Sequence, residues 1–185
     1  MNASDHFDSY RSDPDFPARP ADLSRIKDDD ELEDLSNRPE VMSLSVAGSD
    51  DDTGIERCKV IENAVDGYWL TTNTLKGKYL WLVRTDDVKI ALEAGTLRRT
   101  RTLGPLKHTN LTAGIAHAGG ELWFESDAAI YINGGSSRFK SRSGFEFEAV
   151  VAAFQAAGYA ICSFGWDYGS NTERRFLRQE DIKWI

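Results

Sequence analysis

From about residue 55 onward, short runs of apolar residues alternate with turn-forming residues. This pattern is typical of β-strands joined by tight turns. Two hairpins are predicted at the start of this region, one around Asp66-Gly67 and one around Asp86-Asp87. Their strands are predicted over residues 55–62 and 67–72, and over 78–84 and 88–92. Residues 55–62 also fit a helix, so the first hairpin has that alternative.

Residues 145–157 have the period of an amphipathic helix. Ser143 and Glu146 form a capping-box pair at its start, and Gly158 is placed to end it. Apolar residues recur at i, i+3, i+4 and i+7, as Phe147, Val150, Val151 and Phe154. Further strands are predicted over 159–164 and 174–177. The fold class is therefore predicted as α+β, a mainly antiparallel sheet with one main packed helix.

Two more hairpins are predicted in the glycine-rich stretch between these regions. A turn over 113–116 would place His108 opposite Glu121, and a turn over 126–128 would place Glu121 opposite Asn133. Alternation along the strands then sorts the side chains onto two faces. The apolar face would hold Leu111, Leu122, Phe124, Ile130 and Ile132, and the polar face would hold His108, Asn110, Thr112, His117, Glu121 and Asn133.

The first 54 residues differ in composition from the rest. They carry 15 acidic and 5 basic side chains, a net charge of −10, whereas the whole chain of 185 residues carries −8. Four of the five prolines and few large apolar residues lie there. Such a segment buries too little apolar surface to offset its loss of conformational entropy. We therefore expect a mostly disordered acidic leader, either a solubilising tail or an arm that mimics an anionic ligand, which can be removed from a folded domain over 55–185.

Several classes of protein are excluded by composition. No run of about 18 apolar residues occurs, and the N-terminus is acidic, so neither a membrane protein nor a secreted one is predicted. We expect a cytoplasmic protein that does not bind membranes. Cys58 and Cys162 have no cysteine or histidine neighbours at metal-ligand spacing, so neither a zinc site nor a disulfide scaffold is expected.

The predicted His108–Glu121 pair has the residue types of a general base and the carboxylate that orients it. The same pair also fits a buried hydrogen-bonded contact without catalytic function. Two features favour chemistry. No acidic residue lies between Ala94 and Gly120 or between Ala128 and Phe145, and both stretches contain lysine and arginine. The second stretch includes Gly134-Gly135-Ser136-Ser137-Arg138, whose backbone amides, hydroxyls and guanidinium suit a phosphate group.

At these residues the chain resembles a module found in bacterial polymorphic toxins and in plant calmodulin-binding IQ-motif proteins. The module has His-Thr-Asn-Leu or His-Ser-Ser-Phe, then Ala-Gly, Gly-Glu-Leu and Ser-Gly-His-Tyr. The matching residues are His108, Thr109, Asn110, Leu111, Ala113, Gly114, Gly120, Glu121, Leu122 and Ser136. Ser137 stands in place of the last glycine, and Arg138-Phe139 in place of His-Tyr. No IQ motif occurs, so the resemblance implies a toxin-linked context but neither calmodulin nor a particular reaction.

Two functions of different classes follow. The first is a bacterial toxin or effector enzyme that acts on a phosphate-bearing substrate, either RNA or a nucleotide such as NAD, without a metal or other cofactor. His108 would be the base, Glu121 its orienting carboxylate, and His117 or Arg138 its partner across the phosphate. The substrate would be bound by Lys107, Asn110, Thr112, Asn133, Ser136, Ser137 and Arg138. The second is a non-enzymatic acidic immunity or antitoxin module that binds a cognate toxin.

Overall fold

The computed structural model describes residues 2–49, 54–58, 64–65, 68–69, 77–175, 177–178 and 181–185. The strands are β1 (Arg19–Pro20), β2 (Met42–Ser43), β3 (Ala64–Val65), β4 (Tyr68–Trp69), β5 (Tyr79–Val83), β6 (Val88–Leu92), β7 (Ile115–Ala116), β8 (Ala118–Ser126), β9 (Ala129–Asn133), β10 (Ala160–Ser163), β11 (Trp166–Asp167), β12 (Thr172–Glu173) and β13 (Leu177–Arg178). The α-helices are α1 (Asp8–Arg11) and α2 (Gly144–Ala156). Turns of 3-10 helix cover Ser4–Phe7, Leu23–Arg25, Asp29–Leu32 and His108–Leu111.

A six-stranded sheet with the order β10-β9-β8-β5-β6-β2 forms the centre of the molecule. All neighbouring strands are antiparallel except β9 and β10, which are parallel. The predicted α+β class with a mainly antiparallel sheet is confirmed. The predicted hairpin around Asp86-Asp87 corresponds to β5 and β6, and the predicted pairing of Glu121 with Asn133 is found between β8 and β9.

The short strand pairs outside the six-stranded sheet agree only in part with the predicted strands. Strand β3 pairs with β4 on either side of the predicted Asp66-Gly67 turn, and the rest of that hairpin lies outside the described residues. The strand predicted over 174–177 is displaced, because β12 precedes it and β13 begins at its last residue. In the described part of the chain, no helix is long and apolar enough to cross a membrane.

Helix α2 covers one face of the sheet, as predicted. The Ser143 hydroxyl accepts a hydrogen bond from the Glu146 amide at 3.2 Å, and Gly158 follows the helix with φ +95°, a conformation that glycine adopts without strain. The apolar stripe of α2 is buried in one cluster with alternate residues of the strands, among them Trp81, Leu122, Phe124, Ile130 and Ile132.

The opposite face of the sheet has a second apolar cluster. Leu80 and Leu82 of β5 pack there with Leu106 and Leu111 from the irregular chain between β6 and β7. The prediction that Leu111 shares a face with Leu122 and Phe124 is therefore wrong. Leu111 approaches the sheet from outside, on a 3-10 turn, so the alternation that sorts strand residues does not apply to it.

The prediction of a disordered leader is also wrong. Phe7, Tyr10 and Leu44 are buried in the cluster beneath α2, whereas Leu35 and Val41 are buried in the cluster on the other face. The segment thus wraps both sides of the sheet and adds β2 to its edge. Its apolar residues are few, but these five are buried, so counting apolar residues underestimated the surface that the segment removes from water.

A buried carboxylate ties this segment to α2. Tyr10 donates a hydrogen bond to Glu146 Oε1 at 3.0 Å, and Arg142 donates to the same oxygen at 2.6 Å. Glu146 has no exposed surface, and burial, followed by the Glu146 charge, raises the Tyr10 pKa far above its ordinary value. The Tyr10 hydroxyl therefore stays protonated and acts as a donor throughout the ordinary pH range.

We predict that Phe7→Ala destabilises the protein by about 3–5 kcal/mol, since the Phe7 ring is fully buried and packs edge-on against Phe154. Phe145→Ala is the matched control, because Phe145 is exposed, and it should cost less than about 0.5 kcal/mol. Urea unfolding followed by circular dichroism measures both changes. Equal stability of the two variants would contradict a packed N-terminal segment.

Candidate functional site

A cleft of about 600 Å³ lies between the N-terminal segment and the chain that follows β9 and β12. Its lining residues are Arg19, Pro20, Asp22, Arg25, Ser136, Ser137, Arg138, Lys140, Thr172, Glu173 and Arg175. We call it the basic cleft, because five of these residues are cationic and two are acidic. Its net formal charge is therefore positive in a chain whose total charge is −8.

The N-terminal segment forms one wall of the basic cleft through backbone contacts. Strand β1 pairs antiparallel with β7, with Arg19 opposite Ala116. The Asp22 amide donates to the Arg138 carbonyl at 2.9 Å, and the Asp22 carboxylate accepts from the Ser24 amide at 3.0 Å, which caps the following 3-10 turn. These contacts hold Arg19 and Arg25 opposite the chain after β9.

Arg138 lies at the junction of the two walls. Its guanidinium forms an ion pair with the buried carboxylate of Glu31 and donates to the Arg25 carbonyl at 3.2 Å and to the Ser137 hydroxyl at 2.5 Å. The Arg138 Nε atom is buried and has no hydrogen-bond partner among the described residues. Arg138 is thus fixed mainly by protein contacts, and its charge is largely neutralised by Glu31.

The other cations of the basic cleft are less neutralised. Lys140 and Arg175 lie 3.6 and 3.3 Å from the buried Glu173 carboxylate, which they share. Arg25 is exposed, and its side chain makes no ion pair within the described part of the chain. Burial lowers the pKa of Arg19, although the nearby Glu146 charge raises it in part. One terminal nitrogen of the Arg19 guanidinium has no hydrogen-bond partner among the described residues. The cleft therefore keeps cationic groups that can pair with a bound anion.

Three predicted substrate-binding residues, Ser136, Ser137 and Arg138, line the basic cleft. Two amides of the predicted anion nest already have partners within the protein. The Gly135 amide donates to Asn133 Oδ1 at 2.8 Å, and the Ser136 amide donates to the Gly134 carbonyl at 2.8 Å. Anion recognition in this cleft would therefore depend on side chains, above all on arginine.

His108 does not lie on a strand opposite Glu121, so that prediction is wrong. It begins a 3-10 turn, and the residues paired with Glu121 are Leu80 and Asn133. The His108 ring packs against Gly119 and donates from Nε2 to the Gly120 carbonyl at 2.8 Å. The residue is 5% exposed, and burial lowers its pKa. His108 is therefore a buried neutral side chain, not the accessible base that was expected.

Glu121 pairs with a lysine and an asparagine, and not with His108. Lys78 Nζ lies 3.0 Å from Glu121 Oε1 and 2.6 Å from Glu93 Oε2, while Asn133 Nδ2 donates to Glu121 Oε2 at 3.0 Å. Burial is the largest single effect on the Lys78 pKa and lowers it, but Glu121 and Glu93 together outweigh burial and raise it. Lys78, Glu121 and Glu93 thus form a buried cluster of one cation and two carboxylates.

The remaining predicted residues lie outside the lining of the basic cleft. Asn110 is fully buried and donates from Nδ2 to the carbonyls of Asp30 and Glu33, at 3.0 and 2.9 Å, so it holds the N-terminal segment. The other three also have partners within the protein: Lys107 Nζ lies 3.9 Å from Glu93, Thr112 donates to the Ile115 carbonyl at 2.9 Å, and His117 Nδ1 is 2.8 Å from the Phe16 carbonyl. The predicted polar face is thus not assembled as one site.

One cation of the basic stretch before His108, Arg99, is neutralised by the acidic segment. Arg99 is buried and lies 2.5 Å from Asp28 and 2.9 Å from Asp30. Asp30 also accepts hydrogen bonds from the Thr102 amide and hydroxyl, at 2.8 and 2.7 Å. Arg99 is therefore not available to an external anion, and its role is to hold the segment in place.

Sequence reasoning missed the contributions of Arg19, Arg25, Glu173 and Arg175 to the basic cleft. The available signal was the presence of arginines among the prolines of an acidic segment and the Arg174-Arg175 pair after β12. Pairing of either group with the chain after β9 depends on long-range contacts that no local pattern shows. Among the described residues, no group of three or more histidines, cysteines or carboxylates could hold a metal ion.

Comparisons with known proteins return no match. No protein-family model matches this chain, and neither a curated protein nor a solved structure does.

We predict that thermal stability falls more steeply with decreasing pH in the native protein than in His108→Gln. Burial lowers the His108 pKa below its ordinary value of 6.5, so the unfolded chain takes up more protons once the pH falls below about 6.5. The stabilisation that comes from keeping His108 neutral is therefore fully present above about pH 6.5 and is lost as the pH falls below that value. Glutamine keeps a donor for the Gly120 carbonyl but has no titratable group.

Melting temperatures between pH 8 and pH 5 test this prediction, with His6→Gln, at an exposed position, as the matched control. Identical pH profiles for the native protein and His108→Gln would contradict a buried neutral His108.

Proposed function

We propose that this protein binds a phosphate-bearing ligand in the basic cleft. The observation that carries the proposal is the concentration of Arg19, Arg25, Arg138, Lys140 and Arg175 around one cavity of a chain that is acidic overall. Glu31 and Glu173 neutralise part of this positive charge, and a bound anion would pair with the rest. Guanidinium groups also match the geometry of phosphate oxygens, to which they donate two parallel hydrogen bonds.

The volume of the cleft favours a ligand of nucleotide size. Cavities that hold small molecules and cofactors usually measure about 300–1,000 Å³, and the basic cleft, at about 600 Å³, lies within that range. The exposed hydroxyl of Ser137 in the lining adds a hydrogen-bonding group for the uncharged parts of such a ligand. A nucleotide, free or as part of RNA, fits both the charge and the size.

The proposal is limited to binding. A metal-independent enzyme centred on His108 gains no support from the geometry, because neither His108 nor His117 is among the residues that line the cleft. The toxin or effector role, and the alternative of an immunity or antitoxin module, rest on the resemblance of residues 108–136 and on the acidic composition. Both remain hypotheses about the setting in which the cleft would be used.

We predict that Arg25→Ala and Arg175→Ala each weaken the binding of ADP or NAD about tenfold or more, because each removes a charged donor from the cleft. Arg101→Ala is the matched control, since Arg101 is exposed and lies outside the lining. Isothermal titration calorimetry with pyrophosphate, ADP and NAD measures the affinities. Binding should also weaken as salt rises.

Two results would overturn the proposal. The first is that none of the three compounds binds the full-length chain at low salt. The second is that all three arginine variants weaken binding equally, which would indicate a general effect of net charge and no site.

A further inference from the structure

Two strongly exposed aromatic residues, Phe145 and Tyr168, lie outside the lining of the basic cleft, on chain segments that also contribute lining residues to it. Phe145 is 72% exposed and Tyr168 is 62% exposed. Aromatic rings carry large apolar areas, so two exposed rings on neighbouring segments offer a surface on which a ligand can bury apolar area. Each segment that carries one of these rings also contains a lining residue of the cleft, Lys140 before Phe145 and Thr172 after Tyr168.

Lys140 and Thr172 link the two chain segments that carry Phe145 and Tyr168. Lys140 Nζ donates to the Thr172 hydroxyl at 3.1 Å, so this contact joins the chain before α2 to strand β12. Phe145 follows Lys140 by five residues. In the β11–β12 hairpin, Asp167 pairs with Thr172, so Tyr168 stands one residue beyond that pair and within about 10 Å of Thr172.

Close packing fixes the Tyr168 ring beside Gly144, the residue that precedes Phe145. A Cβ atom at Gly144 would lie 2.8 Å from the Tyr168 hydroxyl and 2.9 Å from its ring, so only glycine permits the observed approach. The Tyr168 hydroxyl donates to Glu148 Oε1 at 2.6 Å, which sets the orientation of the ring. Tyr168 is thus held in position while most of its surface stays exposed.

We infer that the basic cleft and this aromatic pair together bind single-stranded nucleic acid, with the phosphates in the cleft and bases stacked on Tyr168 and Phe145. This inference rests on the proposed function and names its ligand. Nonspecific binding of single strands combines a cationic groove with aromatic rings on which bases stack. Glu148 and Asp167 place negative charge near the aromatic pair, whereas the positive charge lies in the basic cleft. The phosphates would therefore bind in the cleft and the bases on the rings.

The test uses the full-length protein and two fluorescein-labelled strands of eight nucleotides, read by fluorescence anisotropy. One strand is oligodeoxyadenylate, and the other has the same phosphates but abasic sugars. The native protein should bind the base-bearing strand about tenfold more tightly or better. Tyr168→Ala should remove most of that preference, whereas Tyr168→Phe should keep it because the ring remains. Leu103→Ala, at an exposed position outside the cleft, is the matched control.

Equal affinity of the native protein for the two strands would overturn the inference, as would an unchanged preference in Tyr168→Ala. If both strands bind equally and Arg25→Ala weakens both, the aromatic pair takes no part and the phosphate site stands. If neither strand, ADP nor pyrophosphate binds, the proposed function fails together with this inference.

Discussion

The buried carboxylates of Asp30 and Glu31 hold the N-terminal segment against the rest of the molecule. Asp30 pairs with Arg99, and Glu31 pairs with Arg138. Buried ion pairs gain little over apolar packing, but breaking one by removing a partner costs about 3–5 kcal/mol, because it leaves a charge uncompensated. The two halves of the chain therefore depend on each other, since each supplies the charges that the other buries.

This dependence shapes the basic cleft. Glu31 fixes Arg138, and Arg138 in turn donates to the carbonyl of Arg25 in the opposite wall. The segment that contributes most of the negative charge of the protein thus also contributes two of the cations of the cleft, Arg19 and Arg25. Its buried carboxylates, Asp30 and Glu31, have internal partners. The segment therefore contributes to an anion site, whereas an arm that mimics an anionic ligand would block one.

Local patterns predicted the parts of this fold that local contacts determine. The Ser143 cap and the stripe from Phe147 to Phe154 define α2, and the alternation around Glu121 gives the correct register with Asn133. The placement of His108 could not be predicted in this way. The turn that carries it is fixed by Asn110, whose partners are backbone carbonyls 77 to 80 residues away, and no periodicity in sequence reports such contacts.

Hydrogen–deuterium exchange of the full-length protein tests most directly whether the acidic segment is a packed part of the fold. The amides of Leu35 and Leu44 donate to the carbonyls of Asn110 and Val88, both at 2.8 Å, across the interface between the segment and the body. The account predicts that these two amides are protected to a degree comparable with those of β8, because they open only when the core opens. Complete exchange of both within seconds, with β8 still protected, would contradict it.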